Sequence, residues 1–246
     1  MIRSEITNDS IFDGRLTVRQ HRDGYRFSID AVLLACQVRP ASGSAVLDLG
    51  AGCGIISLIL AHLHPQVTVV AVEVQKSLAA LAEENSAANG LADRVRVITC
   101  DLRSLPTKEI SGPFDTLVCN PPYRPIGSGR INPHRQRAVA RHEIRMDIRD
   151  VAAVGRRVVK TGGRLHLIYP AERLTDLLVA FRREGLEPKG LRPVCSQSET
   201  PARLVILEAV KGGRSGMLIG PPLVIYTADG AYTDEVAEML SGTHQT

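Results

Sequence analysis

Long apolar runs are missing from this sequence. None of its hydrophobic stretches approaches the roughly 18 residues that a membrane-spanning helix needs. The first fifteen residues, MIRSEITNDSIFDGR, also lack the apolar core of a secretory signal peptide. A membrane protein or a secreted protein is therefore not expected.

Paired cysteine motifs are also absent. The chain has five cysteines, at positions 36, 53, 100, 119 and 195, with no CxxC and no Cys/His spacing. His134 and His142 stand eight residues apart among arginines, which is not the spacing of metal ligands. This pattern indicates free thiols in a reducing cytoplasm and neither a disulfide framework nor a metal site.

The bulk composition is ordinary, with 44% hydrophobic and 23% charged residues in a chain of 246. A chain of that length can build one α/β domain with small appendages. Charge is spread unevenly, because residues 124–164 hold eleven Lys/Arg and three Asp/Glu, a net +8 in a chain of net +4. Such a stretch is either a solvated face or a footprint for a polyanion such as RNA.

From residue 44 onward, β-rich runs alternate with helical ones. We predict strands at 44–50, 67–73, 94–101, 114–120, 164–169 and 202–210, and helices at 54–64, 76–90 and 171–185. A further helix is expected before Gly162–Gly163, which break it. Alternation of this kind predicts a doubly wound, mainly parallel sheet of the α/β class.

Two appendages flank this core, so we divide the chain into 1–43, 44–212 and 213–246. In the first part we predict a hairpin around HRDG (21–24), then a helix with Ser28 as its N-cap. In the last part we predict a strand, an Asp-Gly turn and a short amphipathic helix. Either appendage can serve as a lid or as packing.

A glycine-rich turn, VLDLGAGCG, joins the first core strand to its helix. Gly50, Gly52 and Gly54 allow tight turning and close approach of a ligand. The spacing is GxGxG with Asp48 inside the motif, whereas the dinucleotide fingerprint is GxGxxG. A carboxylate there disfavours a pyrophosphate and suits an ammonium group.

Acidic residues also end the next two strands. Glu73 and Asp101 stand at the carboxyl ends of the second and third strands, the edge at which open α/β sheets bind ligands. Considered alone, each acid would be an ordinary solvated residue at a strand end. The glycines alone would indicate only a structural turn. Together they predict a ligand rim.

The fourth strand ends in VCNPPYRP (118–125), where Asn120 is followed by Pro121, Pro122 and Tyr123. Each proline fixes its own φ and has no N–H to donate. The segment is therefore predicted to be stiff and extended, holding one amide and one aromatic ring at the same edge as the glycine turn.

These motifs, in this order, resemble the class I S-adenosylmethionine-dependent methyltransferases over residues 44–210. The resemblance implies a seven-stranded Rossmann-like sheet with S-adenosylmethionine as cofactor. It implies that the Asp48–Gly54 turn holds the methionine part, Glu73 the ribose, and Asp101 with Leu102 the adenine. It also places Asn120 among the cofactor-binding residues.

In that superfamily NPPY marks enzymes that methylate a planar nitrogen conjugated to a ring or carbonyl. The Asn120 side-chain oxygen and the Pro121 carbonyl accept its two N–H hydrogens, which localises the lone pair toward the methyl group. Tyr123 can stack on a base. The resemblance thus implies catalytic roles for Asn120, Pro121 and Tyr123 and a substrate contact for Pro122.

The N-terminal RDGYRFSIDAVLLA (22–35) and the C-terminal PPLVIYTADGAYTDEV resemble the bacterial tRNA1(Val) (adenine-37-N6)-methyltransferase family. That resemblance implies tRNA as partner, a cytoplasmic location, and an N-terminal extension (1–43) that covers the cofactor site, with Arg26, Phe27 and Asp30 near the cofactor. Plain local packing is the alternative for those three. The basic segment adds candidate RNA-binding residues, Arg130, Arg135, Arg137 and Arg141.

Three alternative functions stay open on the sequence. The same motif suits N5-methylation of a protein glutamine, as in a release factor, and N2-methylation of guanine in RNA. A non-enzymatic RNA-binding module that holds the cofactor is the third. The short N-terminus and the net +8 of residues 124–164 favour RNA, and a module without chemistry has no need of Asn120.

Overall fold

The computed structural model describes residues 5–22, 26–105, 112–122 and 146–243. Its strands are β1 Ile6–Ile11, β2 Leu16–His21, β3 Ala45–Leu49, β4 Thr68–Glu73, β5 Val95–Thr99, β6 Phe114–Cys119, β7 Val159–Pro170, β8 Leu186–Cys195, β9 Leu204–Lys211, β10 Leu218–Ile219 and β11 Leu223–Val224. Its α-helices are α1 Ile29–Gln37, α2 Ile55–Leu63, α3 Lys76–Ala88, α4 Ile148–Val158, α5 Leu174–Arg183 and α6 Asp234–Ser241. Short 3-10 turns cover Leu102–Ser104 and Ala171–Arg173. Within these residues no helix is long and apolar enough to cross a bilayer.

The main sheet confirms the predicted fold class. Its strands run in the order β10-β8-β9-β7-β6-β3-β4-β5, and β11 also pairs with β8. Among these described strands, only β9 is antiparallel to its neighbours, β7 and β8; the other pairings are parallel. The seven long strands are those that the resemblance implied, and the two-residue strands β10 and β11 widen the sheet to nine at its β8 edge.

Both faces of the sheet are covered, as its near-continuous apolar strands require. One hydrophobic cluster joins one sheet face to α1, α2, α3 and α6, and the other joins the opposite face to α4 and α5. Adjacent residues of β3 therefore belong to different clusters, Val46 to the first and Leu47 to the second.

The hairpin prediction was wrong in position. β1 and β2 pair directly, and their turn is Phe12–Arg15, so His21 lies inside β2 and not in a turn. Phe12, Asp13 and Gly14 all have positive φ, which the Asp13–Gly14 pair accepts readily. Phe12 is fully buried, so the turn is anchored by packing. Ser28 does precede α1, but its side chain makes no capping hydrogen bond.

Strand β8 was missed by the sequence analysis, because Pro188, Gly190 and Pro193 argue against a strand. Prolines are tolerated near sheet edges and at bulges. β8 has β9 on one side and only the short β10 and β11 on the other, and its pairing with β9 shifts register between Pro188 and Gly190. A second difference is that β7 begins at Val159, directly after α4, and runs through Gly162–Gly163.

The C-terminal helix is tied to the N-terminal one. Arg192 of β8 donates to both carboxylate oxygens of Glu235 at 2.7 Å and to the Gln37 side-chain oxygen at 3.2 Å. Val236 and Met239 of α6 are fully buried in the cluster that contains α1. These contacts hold α1, β8 and α6 together on one face of the sheet.

Candidate active site

A cleft opens where β3, β4, β5 and β6 end. Its empty volume is about 650 Å³, part of it open to solvent. Its lining residues are Gly50, Gly52, Val72, Glu73, Val74, Gln75, Leu78, Cys100, Leu102, Asn120, Pro122 and Met146. The carboxyl ends of parallel strands are where open α/β sheets bind ligands.

The glycine turn is held in a conformation that needs glycine. Gly50, Gly52 and Gly54 have φ of 73°, 59° and 89°, a region that L side chains rarely adopt. The N–H groups of Gly50 and Ala51 donate to the Val72 carbonyl at 2.8 and 3.0 Å, which fixes the turn to β4. Gly50 and Gly52 line the cleft, and Gly54 does not.

Gly54 instead permits close helix packing. A Cβ at this position would lie 3.1 Å from the Cβ and 3.3 Å from the Cα of Ala82 in α3. The third glycine of the motif is therefore required by the contact between the turn and α3.

Glu73 is 5% exposed and ends β4 at the cleft. One carboxylate oxygen accepts from the Gly52 N–H at 2.9 Å, and the other accepts from Val74 and Gln75 at 3.0 and 2.9 Å. A carboxylate has about four acceptor positions, so three backbone donors leave room for one more. Glu73 thus both braces the glycine turn and offers an acceptor to a ligand.

Asp48 is fully buried and does not line the cleft. Its Oδ2 accepts from the Ser57 hydroxyl at 2.7 Å, whereas its Oδ1 has no hydrogen-bond partner among the described residues. Burial raises the pKa of this carboxyl to about 7. The prediction that Asp48 holds the cofactor is therefore not matched by its position, since its buried, unpaired oxygen is not part of the cleft surface.

Asp101 does not line the cleft, whereas its neighbours Cys100 and Leu102 do. The Asp101 carboxylate accepts from the Arg103 N–H at 2.9 Å and pairs with the Arg103 guanidinium, which lowers its pKa. Leu102 is buried and lines the cleft. An adenine amino group would therefore compete with Arg103 for this carboxylate.

The NPPY segment begins directly after β6. Asn120 and Pro122 line the cleft, and Pro121 is buried. The structure thus brings Asn120 to the same cleft as Gly50 and Glu73.

The rest of the predicted substrate-binding set cannot be placed against this cleft. Its members lie outside the described residues: Tyr123, Arg130, Arg135, Arg137 and Arg141. The same holds for His134 and His142. The roles of these residues therefore stay predictions from the sequence.

Arg26 and Phe27 contact the N-terminal hairpin instead of the cleft. Arg26 pairs with Asp9 at 2.8 Å and donates to the Thr7 hydroxyl at 2.6 Å. The Phe27 N–H donates to the Gln20 side-chain oxygen at 3.1 Å. Asp30 lies in the first turn of α1, and none of the three predicted residues lines the cleft.

Six lining residues had no role in the sequence analysis: Val72, Val74, Gln75, Leu78, Cys100 and Met146. Most of them flank the predicted strand-end acids, so strand position could have found them. Met146 could not be found this way, since it follows Asn120 by a long stretch of chain. Its sulfur lies 3.6 Å from the Cys119 sulfur, and its methyl group packs against Gly50.

Comparison with known proteins gives three findings. The methyltransferase small domain matches residues 26–169. A tRNA1(Val) (adenine(37)-N6)-methyltransferase of Aeromonas hydrophila is 29% identical, covering 91% of this chain and 92% of the relative. A tRNA1(Val) (adenine(37)-N6)-methyltransferase of Shewanella putrefaciens is 30% identical, and the match covers 70% of this chain and 72% of the relative.

Among solved structures, a predicted O-methyltransferase from Agrobacterium tumefaciens superposes with a TM-score of 0.70 and 20% identity. The match covers 87% of this chain and 96% of that one, and it supports the fold. With the cleft, the glycine turn and the family match, the chain belongs to the methyltransferase small-domain family, and with it to the family of tRNA1(Val) (adenine(37)-N6)-methyltransferases.

Proposed function

We propose that this protein transfers a methyl group from S-adenosylmethionine to the N6 nitrogen of an adenine in tRNA, at anticodon-loop position 37. The observation that carries the proposal is the position of Asn120, which lines the same cleft as the glycine turn and Glu73. The names of the relatives support the choice of tRNA and of position 37. A tRNA substrate implies a cytoplasmic location.

The cleft fits a nucleoside-containing cofactor. It lies at the carboxyl ends of the parallel strands, and its lining combines apolar side chains with the glycine backbone, the Glu73 carboxylate and the Asn120 amide. Gly50 and Gly52 would hold the methionine part against their backbone, the free acceptor position of Glu73 a ribose hydroxyl, and Leu102 with Asp101 the adenine. When bound, S-adenosylmethionine supplies a methyl group activated on a sulfonium.

Asn120 and Pro121 prepare the substrate nitrogen. An exocyclic amino group is a weak nucleophile because its lone pair is delocalised into the ring. Two fixed acceptors, the Asn120 side-chain oxygen and the Pro121 carbonyl, draw its hydrogens away from the ring plane and localise the lone pair. The prolines keep these acceptors in place, since each has a restricted φ.

Competing nucleophiles in and around the cleft are held neutral. A thiolate beside an activated methyl group would itself be methylated. Burial raises the pKa of Cys119 well above its usual value, raises that of Cys53 to about 11, and also raises that of Cys100. All three thiols therefore stay protonated near neutral pH, which protects the enzyme from self-methylation.

The positive charge that is available for RNA binding lies in a shorter segment than 124–164. All five cations in the described part of this stretch, residues 146–164, already have partners within the chain. Four of them form ion pairs with acids: Arg149, Arg156, Lys160 and Arg164. The fifth, Arg157, donates to the Leu102 and Leu105 carbonyls. The segment 124–145 keeps six arginines and one glutamate. We infer that this segment supplies the phosphate contacts.

The decisive experiment is methyl transfer from labelled S-adenosylmethionine to three substrates: tRNA1(Val), the same tRNA with guanine at position 37, and a recombinant release factor. We expect label only in the first, recovered as N6-methyladenosine after digestion. Label in the release factor would establish glutamine methylation instead. Label as N2-methylguanosine would establish the guanine activity, and cofactor binding without transfer would indicate a non-catalytic module.

A further inference from the structure

Asn85 of α3 makes hydrogen bonds with every polar group of its side chain. It is fully buried. Its oxygen accepts from the Arg19 N–H at 2.8 Å, and its NH₂ donates to the Arg19 carbonyl at 3.0 Å and to the Cys53 carbonyl at 2.9 Å. The same side chain therefore contacts the outer edge of β2 and the glycine turn.

Asn89, one helical turn later, makes the same pairing with β2. Its oxygen accepts from the Thr17 N–H at 2.9 Å, and its NH₂ donates to the Thr17 carbonyl at 2.7 Å. Residues four apart in a helix rise about 6 Å, and residues two apart in a strand advance about 6.8 Å. This near match lets two amides of α3 pair with β2 as a neighbouring strand would, on the edge that β1 leaves free.

Of these two asparagines, Asn85 alone adds a contact with the glycine turn. Cys53 lies between Gly52 and Gly54, both with positive φ. Glu73 holds the Gly52 N–H from the β4 side, and Asn85 holds the Cys53 carbonyl from the α3 side. The peptide segment of the turn that contains Gly52 is thus fixed from two directions.

We propose that Asn85 is a positioning residue for the cofactor: it fixes the glycine turn in its binding conformation and couples the turn to the N-terminal hairpin. A glycine-rich turn loses much conformational freedom on ordering, so a turn that is already ordered binds more tightly. Asn85 does not line the cleft and acts only through Cys53. The inference rests on the proposed function only in that the turn binds S-adenosylmethionine.

The test compares Asn85→Ala with Asn89→Ala, using S-adenosylhomocysteine as the probe. Both variants lose their pairing with β2 and should have a lower Tm. Calorimetry should show the Kd for the probe raised about 10-fold or more by Asn85→Ala and less than 2-fold by Asn89→Ala. In steady state, Asn85→Ala should raise KM for S-adenosylmethionine and leave KM for tRNA unchanged. Equal effects of the two variants on Kd, or none from Asn85→Ala, overturn the proposal.

A measurement on the unmodified protein does not depend on the folding of any variant. Coupling between two sites is reciprocal, so a probe that tightens the turn must also stabilise the Asn85 pairing. Amide hydrogen exchange should slow several-fold at Arg19, whose N–H bonds Asn85, when S-adenosylhomocysteine binds, and stay unchanged at Thr17. Equal protection at both amides, or none, contradicts the coupling. The calorimetric and hydrogen-exchange measurements do not use methyl transfer to RNA, so their failure is distinguishable from failure of the proposed substrate.

Discussion

Asn120 carries the proposed chemistry in a single side chain. In Asn120→Ala one of the two acceptors for the amino group is removed, whereas the glycine turn and Glu73 are unchanged. We expect single-turnover methylation of tRNA to fall about 100-fold or more, as when one preorganised polar group is deleted from an active site. Calorimetry should show a Kd for S-adenosylhomocysteine within about 2-fold of the original.

Asn120→Asp is the matched control, because it keeps an acceptor oxygen at the same place. It should retain more activity than Asn120→Ala. A near-normal single-turnover rate for Asn120→Ala would show that the NPPY segment does not orient the amino group.

Glu73 is the second single residue with a testable role, because its carboxylate accepts from the glycine turn and is proposed to bind a ribose hydroxyl. Glu73→Gln replaces one acceptor oxygen by an NH₂ group, which then faces a backbone N–H. Hydrogen bonds to charged groups contribute about 1.5–3 kcal/mol, so the Kd for S-adenosylhomocysteine should rise by about 10- to 100-fold. Glu83→Gln, an exposed charge change on α3, should leave the Kd unaltered in the same calorimetric assay.

At the scale of elements, the contact between the glycine turn and α3 depends on Gly54. Gly54→Ala introduces a Cβ 3.1 Å from Ala82 at a positive φ of 89°. The left-handed conformation costs about 1–2 kcal/mol, and overpacking adds about 1–3 kcal/mol. Urea denaturation should therefore show a loss of about 2–5 kcal/mol.

Gly90→Ala separates these two costs. Gly90 follows the end of α3 with a φ of 67°, and nothing lies within 4 Å of an added Cβ. It should lose only the conformational cost, about 1–2 kcal/mol. Equal losses for the two variants would mean that α3 yields to the extra methyl group.

The segment 124–145 is the element to which we assign the phosphate contacts. Arg135→Glu and Arg137→Glu should each weaken tRNA binding and reduce the slope of log K against log salt by about 0.9 or less for each phosphate that is no longer neutralised. Arg183→Glu makes the same charge change at an exposed residue at the end of α5 that does not line the cleft, and it should leave the slope unchanged. If all three variants keep the original slope, the segment is only a solvated surface.

At the scale of the whole molecule, many cations are used inside the fold. Arg39, Arg94 and Lys211 donate to last-turn carbonyls of α1, α2 and α4, in each case satisfying a helix end. Together with the ion pairs of residues 149–164, they explain why a net charge of +4 does not by itself mark a binding face.

Two buried ionisable groups give opposite pH dependences. The pKa of Asp48 is about 7 in the folded protein against an ordinary 3.8, so the folded state binds more protons between these values. Its contribution to stability therefore falls as pH rises from about 4 to about 7. Burial lowers the pKa of His166 from 6.5 to about 4, so its contribution falls as pH drops from about 6.5 to about 4.

Single variants should reveal each effect. As pH rises from 4 to 7, the free energy of unfolding of Asp48→Asn should increase relative to that of the original protein by a few kcal/mol. As pH falls from 6.5 to 4, the free energy of unfolding of His166→Asn should increase relative to that of the original protein. Urea denaturation at pH 4 to 8 measures both differences, and a difference independent of pH would show that the residue does not titrate in this range.

The sequence by itself determined the fold class, and it identified the glycine turn and the NPPY segment as motifs at one edge of the sheet, where both line the cleft. These features can be predicted from the sequence because each depends on local chemistry. The fold class follows from β-branched runs between helices, the turn from its glycines, and the stiff segment from the prolines after Asn120. The division into 1–43, 44–212 and 213–246 stays a prediction. So do the substrate-binding roles of residues outside the described part of the chain: Tyr123, Arg130, Arg135, Arg137 and Arg141.

Only the tertiary structure decided what depends on contacts between distant residues. It showed that Asp48 is buried and bonded to Ser57 and that Arg26 pairs with Asp9. It also showed that Gly54 packs against α3 and that Met146 lines the cleft. It also showed Pro188 and Pro193 inside a strand, because β8 lies near a sheet edge. Sequence patterns report which conformations and faces a segment prefers, whereas the partner of a buried polar group is set by which elements pack against it.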